Sequence, residues 1–286
     1  MFNFLSLNKE EPSTQNYHVV PLGDTLSKMS LPRVPDGMLG GVLYGSQLVG
    51  VGAHGSCHLI SIYKNSCQVT AVAKFYHNLS FNGRFLREAH MYQVLAGISG
   101  IPQLFGVSVN PLCLITSFHG PTTLLQVIRQ KIPSVLHLLT AMEQVTVTVS
   151  NIHYRNMVHN DLKLDNILVD LSADTQEVKA TVIDMGSMTS VGDRPYKGCH
   201  HDCKSYPYLD PDLLQGGQST PASDVYSLGA MIREVMKLLP PNTIAPHTNQ
   251  LVDQCFSTNV CDRPTMLEVS SIIVNLKDSL PRPTIQ

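Results

Sequence analysis

Residues 158–170, VHNDLKLDNILVD, set several polar side chains among apolar ones, and three of them could take part in one reaction. A carboxylate such as Asp161 can orient an attacking hydroxyl and accept its proton. The ammonium of Lys163 can neutralise charge on a phosphoryl group, and the amide oxygen of Asn166 can bind Mg²⁺. Asp161 by itself would be read as a turn aspartate, so phosphoryl transfer is indicated by the set and not by one residue.

Three residues elsewhere in the chain complete this set. Asp184, in VIDMGS, is predicted to be a second oxygen ligand of Mg²⁺. Lys74 ends the apolar run AVAK, and taken alone it would be an ordinary strand-edge lysine. With Glu88 of FLREAHMYQVL as its counter-charge, Lys74 is instead predicted to bind phosphate, because a buried lysine without a partner favours its neutral form.

Gly50, Gly52 and Gly55 form a G-x-G-x-x-G run. A helix follows such a run directly in a dinucleotide-binding fold, whereas here the strand-like SCHLISIY follows. Two interpretations stay open on the glycines alone. They form either a β-hairpin with a bulge or a loop whose bare backbone N–H groups cover a polyphosphate.

The elements that must position these residues are of two kinds. From SQLVGVGAHGSCHLISIYKN to CQVTAVAKFY the alternating, β-branched pattern predicts antiparallel strands, and PLCLITSF predicts another. FNGRFLREAHMYQVLAG predicts a helix that stops at Gly97. After Gly120, SVLHLLTAMEQVTVTVSNIHYRN and STPASDVYSLGAMIREVMKLLPP predict helices, and NILVD with VKATVID predicts a hairpin. The later helix is expected to begin after Thr220, to end at Pro240 and to be buried, since apolar residues surround it.

Composition limits the class of protein. The chain has 286 residues, 43% of them hydrophobic and 15% charged, which suits one large domain or two lobes. A formal net charge of −2 argues against a nucleic-acid partner. Seven scattered cysteines do not suggest a disulfide framework, and we find no basic leader and no apolar run long enough to span a bilayer. We therefore expect a cytoplasmic or nuclear protein with no membrane insertion.

Together these residues resemble the eukaryotic-type protein kinase family over about residues 46–275. The marks that carry the resemblance are Gly50, Gly52, Gly55, Val72-Ala73-Lys74, Glu88, His159-Asn160-Asp161, Lys163, Asn166, Asp184-Met185-Gly186, residues 208–212, residues 224–229 and Arg263-Pro264-Thr265. The resemblance implies an α+β, bilobal fold. It also implies an enzyme that uses ATP and Mg²⁺. The expected organisation is a partly ordered N-terminal extension over residues 1–40, a small antiparallel β-rich N-lobe over 41–119, a larger, mainly helical C-lobe over 120–280 and a tail over 281–286.

The resemblance also implies an adenine site. Thr116 would occupy the gatekeeper position, before a hinge that reads the adenine. The hinge would consist of Ser117, Phe118 and His119. The adenine itself would lie between Cys57 and Ala73 on one side and Leu168 on the other.

DLKLDN is similar to the serine/threonine type of the family, and Ser205 stands where such kinases have a threonine. SYPYLDPDLL and DRPTM resemble, more weakly, the tyrosine-kinase-like and receptor-associated branch. The implied activity is transfer of the γ-phosphoryl group of ATP to serine or threonine hydroxyls of protein substrates. The alternatives are a pseudokinase that serves as a binding or scaffold module, and a small-molecule kinase of the choline or aminoglycoside kind. Small-molecule kinases lack the elements that this chain has at residues 208–212, at residues 224–229 and at Arg263.

Three departures from the family pattern bear on control and stability, and one further stretch could bind a metal. Asn160 replaces an arginine that docks a phosphate on the activation loop, so activity is expected not to require phosphorylation there. Met185 replaces a phenylalanine, whose packing a thioether can provide. Asp212 replaces a glutamate, and we expect it to pair with Arg263. A cysteine- and histidine-containing stretch could hold zinc but favours a solvated loop; its residues are Cys199, His200, His201 and Cys203.

Overall fold

The computed structural model describes Leu26, Leu39 and residues 28–35, 45–52, 54–64, 66–77, 82–130, 134–171, 177–198, 202–239 and 244–280. Contacts within the chain define two compact units. The first unit comprises Met1–Gly97 with Pro102–His119, and the second comprises Ile98–Ile101 with Gly120–Gln286. Most of the expected extension and the whole tail over 281–286 lie outside the described residues, and the predicted domain boundaries stay predictions.

The first unit contains an antiparallel sheet in the order β1-β2-β3-β5-β4. Its strands are β1 (Gln47–Gly52), β2 (Gly55–Lys64), β3 (Cys67–Tyr76), β4 (Leu104–Val109) and β5 (Leu112–Ser117). Each neighbouring pair is antiparallel, as the alternating sequence pattern predicts. A bulge between Leu48 and Gly50 interrupts the β1–β2 register. Helix α1 (Asn82–Val94) packs on β4 and β5, and Gly97 beyond it has a φ of 85°, the left-handed backbone that favours glycine after a helix.

The core of the first unit follows from strand alternation. Ala71, Ala73 and Phe75 of β3 point to one face, where they pack in a cluster with Ile60, Cys113, Ile115 and Leu39. Lys74 and Tyr76 therefore point to the opposite face of β3. The described part of the N-terminal segment also joins this unit, because the Val34 N–H donates to the Val107 carbonyl of β4 at 2.8 Å.

The second unit is mainly helical, which confirms the predicted α+β class. Its helices are α2 (Leu124–Gln130), α3 (Val135–Tyr154), α4 (Pro211–Leu214), α5 (Pro221–Met236), α6 (Pro246–Gln254) and α7 (Met266–Asp278). Helix α3 packs on α5, on α7 and on strand β8 (Val178–Val182). Ser134 caps α3, and its side chain accepts the His137 N–H at 3.4 Å.

The predicted hairpin and the predicted helix after Thr220 are both present in the second unit. Strand β7 (Ile167–Leu171) pairs antiparallel with β8 (Val178–Val182), and the short β6 (Met157–Val158) pairs with β9 (Thr189–Ser190). Helix α5 begins at Pro221 after a capping box at Thr220, and it is buried along most of its length. It ends at Met236, earlier than predicted, and Pro240 itself lies outside the described residues.

Candidate active site

A lysine–glutamate pair is formed in the first unit. Lys74 Nζ donates to both Glu88 carboxylate oxygens at 2.8 Å. Glu88 lies on α1 and is only 1% exposed, whereas the Lys74 side chain is 21% exposed. The carboxylate thus offsets the cost of holding the ammonium at a partly buried position, as the sequence predicts.

The three glycines of the G-x-G-x-x-G run differ in their surroundings. Gly52 pairs with Gly55 where β1 turns into β2, so the run joins two strands. A Cβ at Gly55 would lie 2.0 Å from the Phe75 carbonyl oxygen of β3. Gly50 and Gly52 have open space where a Cβ would be. Gly55 is therefore required by the packing of β2 on β3, while Gly50 and Gly52 leave bare backbone on an open face.

Replacing Gly55 with alanine should lower the free energy of unfolding by about 1–3 kcal/mol, because a backbone oxygen cannot move away without disturbing the β2–β3 pairing. Gly52→Ala is the matched control and should change it by less than about 0.5 kcal/mol. Denaturant unfolding of both variants measures the difference. Equal losses in the two variants would contradict the packing role of Gly55.

The gatekeeper and the hinge residues expected to read adenine lie in the first unit. Thr116 and Ser117 end β5, and the Ser117 hydroxyl lies 2.7 Å from His119 Nε2 and accepts the Gln103 N–H at 2.8 Å. Phe118 stands between them and is partly exposed. The Ser117 side chain therefore contacts both His119 of the hinge and the backbone of Gln103.

Of the remaining adenine-site candidates, two lie in the sheet of the first unit and one lies in the second unit. Cys57 pairs with Lys74 across β2 and β3, and Ala73 is fully buried on β3. Leu168 lies on β7, partly buried, and forms a bridge with Thr123. Their joint role in an adenine site stays a prediction.

The polar loop (residues 159–166) brings the predicted reactive groups together in the second unit. Lys163 Nζ lies 3.2 Å from both Asp161 carboxylate oxygens. Asn166 Nδ2 donates to the Asp161 carbonyl oxygen at 2.8 Å. Asp161 and Asn166 are buried, and Lys163 is partly exposed. The loop thus presents a carboxylate flanked by an ammonium and an amide.

Asp224 of α5 anchors the backbone of the polar loop. Its Oδ2 accepts the His159 N–H at 2.8 Å and its Oδ1 accepts the Asn160 N–H at 3.0 Å. His153 Nε2 of α3 lies 2.9 Å from the same Oδ2. Because Asp224 is fully buried, these three contacts satisfy a carboxylate that would otherwise be costly to bury. The loop is therefore tied to the helical core immediately before Asp161.

Asn160 is buried and its side chain connects three segments. Its Nδ2 donates to the Ser187 carbonyl at 3.2 Å and to Thr189 Oγ1 at 2.9 Å, while its Oδ1 accepts the Ser219 hydroxyl at 2.7 Å. Its φ of 62° lies in the left-handed region, which asparagine tolerates better than most residues. The amide thus links the polar loop to the residues after Asp184 through neutral hydrogen bonds.

Asn166 and Asp184 have the chemistry of a magnesium site. The Ile183 N–H donates to the Asn166 carbonyl at 2.9 Å, which places Asp184 next to the polar loop. Since Asn166 Nδ2 is engaged by Asp161, its Oδ1 is the atom that remains for a cation. A carboxylate and an amide oxygen suit hard Mg²⁺, so the residues fit this ion. Met185 beyond Asp184 is fully buried, in keeping with its predicted packing role.

Tyr208 adds a contact that the sequence did not predict. Its hydroxyl donates to Asp161 Oδ1 at 3.5 Å, and Lys163 Nζ lies 5.5 Å from its ring centroid. Burial, reinforced by the Asp161 charge, raises the pKa of the Tyr208 phenol, which therefore stays a proton donor. Ser205, by contrast, donates to Asp202 Oδ2 at 3.1 Å.

The ion pair expected between Asp212 and Arg263 is wrong. Arg263 instead forms a bidentate pair with Asp210, at 2.6 and 2.9 Å, and both side chains are buried. Asp210 also caps α4 by accepting the Asp212 N–H at 3.0 Å. Asp212 lies in the first turn of α4 and is exposed. The buried carboxylate that pairs with Arg263 is therefore Asp210, the N-cap of α4, which lies two residues before the position that the family motif suggests.

The suggested zinc stretch cannot be followed in full, since Cys199, His200 and His201 lie outside the described residues. Cys203 is described as a partly buried free thiol. Within the described ranges, no group of three or more His, Cys, Asp or Glu side chains could hold a metal ion. In the same ranges, no helix combines the length and apolar character needed to cross a membrane.

The chain is similar in sequence to known protein kinases. The sequence profile of the protein kinase domain matches residues 45–245. The serine/threonine-protein kinase PrkC of Bacillus subtilis (strain 168) is 31% identical over 98 residues, which cover 34% of this chain and 14% of PrkC. A probable cAMP-dependent protein kinase catalytic subunit of Encephalitozoon cuniculi (strain GB-M1) is 25% identical over 255 residues, 76% of this chain and 72% of that protein.

A further relative is the dual specificity protein kinase zakA of Dictyostelium discoideum. It is 23% identical over 257 residues, which cover 76% of this chain and 31% of zakA. The chain therefore spans less than two thirds of the length of both PrkC and zakA.

Proposed function

We propose that this chain, which belongs to the protein kinase family, transfers the γ-phosphoryl group of ATP to serine or threonine hydroxyls of protein substrates. The observation that carries the proposal is the polar loop, in which Asp161 lies beside Lys163 and Asn166 on a backbone anchored by Asp224. The serine/threonine preference is supported by DLKLDN and by relatives that carry this name. The same proposal takes residues 41–119 as the N-lobe and 120–280 as the C-lobe.

In this mechanism each residue has one task. Asp161 accepts a hydrogen bond from the substrate hydroxyl, orients its oxygen and takes its proton. Lys163, beside it, is a cation for the phosphoryl group in transit. Lys74, held by Glu88, binds phosphate oxygens of the nucleotide. Asn166 and Asp184 would hold Mg²⁺, which neutralises charge on the phosphates.

The nucleotide-binding part of the proposal concerns the hinge, three apolar residues and two glycines. The backbone of the hinge would hydrogen-bond the adenine, with Thr116 beside it as gatekeeper. Within the hinge, the Ser117 hydroxyl lies 2.7 Å from His119 Nε2. The apolar faces would come from Cys57, Ala73 and Leu168. Gly50 and Gly52, which have open space around them, would let the backbone approach the phosphates closely.

We further propose that activity does not depend on phosphorylation of the activation loop. In the family, an arginine at the Asn160 position needs a phosphate to complete its contacts. The Asn160 amide is already satisfied by Ser187, Thr189 and Ser219, and all of these contacts are neutral. These contacts support the proposal that the segment after Asp184 needs no phosphate to be held.

Protein treated with phosphatase until intact-mass measurement shows no phosphate should keep at least about half of its initial rate. The physical reason is the Asn160 network, which contains no charged partner to lose. The same comparison is made with Ser205→Ala, which removes the hydroxyl at the family's threonine position. The rates of the phosphatase-treated and untreated variant should differ no more than those of wild type. Loss of activity that returns only when the loop is phosphorylated would contradict phosphate independence.

The function itself is tested by incubating wild type and Asp184→Asn with Mg²⁺ and ATP, then reading autophosphorylation and phosphate on a peptide array. Wild type should label serine or threonine peptides and the variant should not. Equal incorporation in both would refute the catalytic assignment. No labelling by wild type, with no rise in melting temperature on Mg-ATP, would favour the pseudokinase. Labelling of small hydroxyl compounds alone would favour a small-molecule kinase.

A further inference from the structure

Tyr76 takes part in the lysine–glutamate pair of the first unit. It lies two residues after Lys74 on β3, so both side chains point to the same face of the strand. The Tyr76 hydroxyl donates a hydrogen bond to Glu88 Oε2, the same oxygen that Lys74 contacts. Glu88 therefore accepts hydrogen bonds from two residues of one strand.

The ring of Tyr76 makes a second contact with helix α1. It meets Phe85 edge-on, with ring centroids 5.4 Å apart and an interplanar angle of 84°. Phe85 and Glu88 are three residues apart on α1 and so share one face of the helix. Tyr76 and Phe85 are both buried, which leaves the tyrosine ring little freedom to turn away. Tyr76 thus clamps β3 to α1 by an apolar and a polar contact.

The hydroxyl matters most when Lys74 changes partner. An ammonium has three N–H donors, and in the structure two of its contacts are to Glu88. If Lys74 turns toward a phosphate, a buried carboxylate is left with fewer donors, which is unfavourable. If the Tyr76 hydroxyl stays on Oε2, Glu88 keeps a donor there and α1 need not move.

We infer that Tyr76 is a positioning residue, whose hydroxyl holds the Glu88 carboxylate and helix α1 in the arrangement that presents Lys74 to the nucleotide phosphates. The inference rests on the proposed function for the phosphate. Tyr76 thus adds a third residue to the lysine–glutamate pair, and its neutral hydroxyl is part of the chain itself. The contact of Tyr76 with Glu88 itself can be tested apart from catalysis.

Tyr76→Phe removes the hydroxyl and keeps the ring that contacts Phe85. We expect kcat/KM for ATP to fall about tenfold, or about 1.4 kcal/mol, because the variant lacks a buried hydrogen bond to a charged group. The KM for the peptide substrate should not change. Tyr63→Phe is the matched control, because Tyr63 lies on β2 of the same unit and is 79% exposed; it should leave every parameter unchanged.

A double-mutant cycle shows whether the hydroxyl acts through Glu88. In a Glu88→Ala background the oxygen that accepts the hydroxyl is gone, so Tyr76→Phe should have no further effect on kcat/KM for ATP. A tenfold fall in that background as well would overturn the inference. So would a lower melting temperature of Tyr76→Phe with unchanged kcat/KM, because this is the behaviour of a purely structural residue.

Amide hydrogen exchange of α1 provides a readout that needs no catalysis. Exchange over residues 85–92 should be faster in Tyr76→Phe than in wild type and unchanged in Tyr63→Phe. If wild type binds no nucleotide, the proposed function fails, but the exchange result still decides the positioning contact. Unchanged exchange in Tyr76→Phe would show that the hydroxyl does not hold the helix.

Discussion

Replacing Asp161 with asparagine should lower kcat about 10²- to 10⁴-fold, the usual contribution of a positioned general base. Asparagine has almost the same shape but cannot accept the substrate proton. It also loses the charge that now holds Lys163, whose Nζ lies 3.2 Å from both oxygens. The KM for ATP should change little, because Asp161 acts on the hydroxyl and not on the nucleotide.

Steady-state kinetics with a peptide substrate measure this loss, and thermal unfolding shows whether the variant is folded. Asp170→Asn is the matched control, since Asp170 is exposed on β7 a few residues after the polar loop. It makes the same chemical change and should keep wild-type kcat. An Asp161→Asn variant with wild-type kcat would remove Asp161 from the mechanism. A loss that parallels unfolding would make its role structural.

Replacing Arg263 with alanine should lower the free energy of unfolding by about 3–5 kcal/mol, because it leaves the Asp210 carboxylate buried and without its cation. The guanidinium forms two bonds to Asp210 and further bonds to the Ser257 and Ala222 carbonyls at 2.9 and 3.0 Å. Arg263→Lys should recover only part of the loss, since one ammonium cannot reproduce this planar set of donors. Denaturant unfolding with a fitted slope measures both values.

Asp212→Ala distinguishes the observed ion pair from the one that the family pattern suggests. Asp212 is exposed and makes no contact with Arg263 in the described structure, so its loss should cost less than about 1 kcal/mol. Asp210→Ala should cost about as much as Arg263→Ala, because it strands the other half of the buried pair. Equal costs for Asp212→Ala and Arg263→Ala would show that the pairing is the one first expected.

Much of the architecture could be predicted because local patterns determine it. The alternation in β2 and β3, the cap at Thr220 and the hairpin of β7 and β8 all depend on residues close in sequence. The end of α5 was predicted less accurately, because the sequence pattern marks the prolines but not the turn that precedes them. Gly55 could not be told from Gly50 and Gly52, because the atom that would collide with its Cβ belongs to another strand.

The sequence by itself determined the family, the α+β class and the set of reactive residue types in their order, since these depend on residue identity and short-range spacing. The tertiary structure decided which groups meet. Asp210 rather than Asp212 holds Arg263, and Tyr76 joins Lys74 at Glu88. Asn160 bonds to Ser187, Thr189 and Ser219, which lie 27 to 59 residues away. Hydrogen bonds and ion pairs act over about 3 Å, so only the packing of distant segments brings such partners within reach.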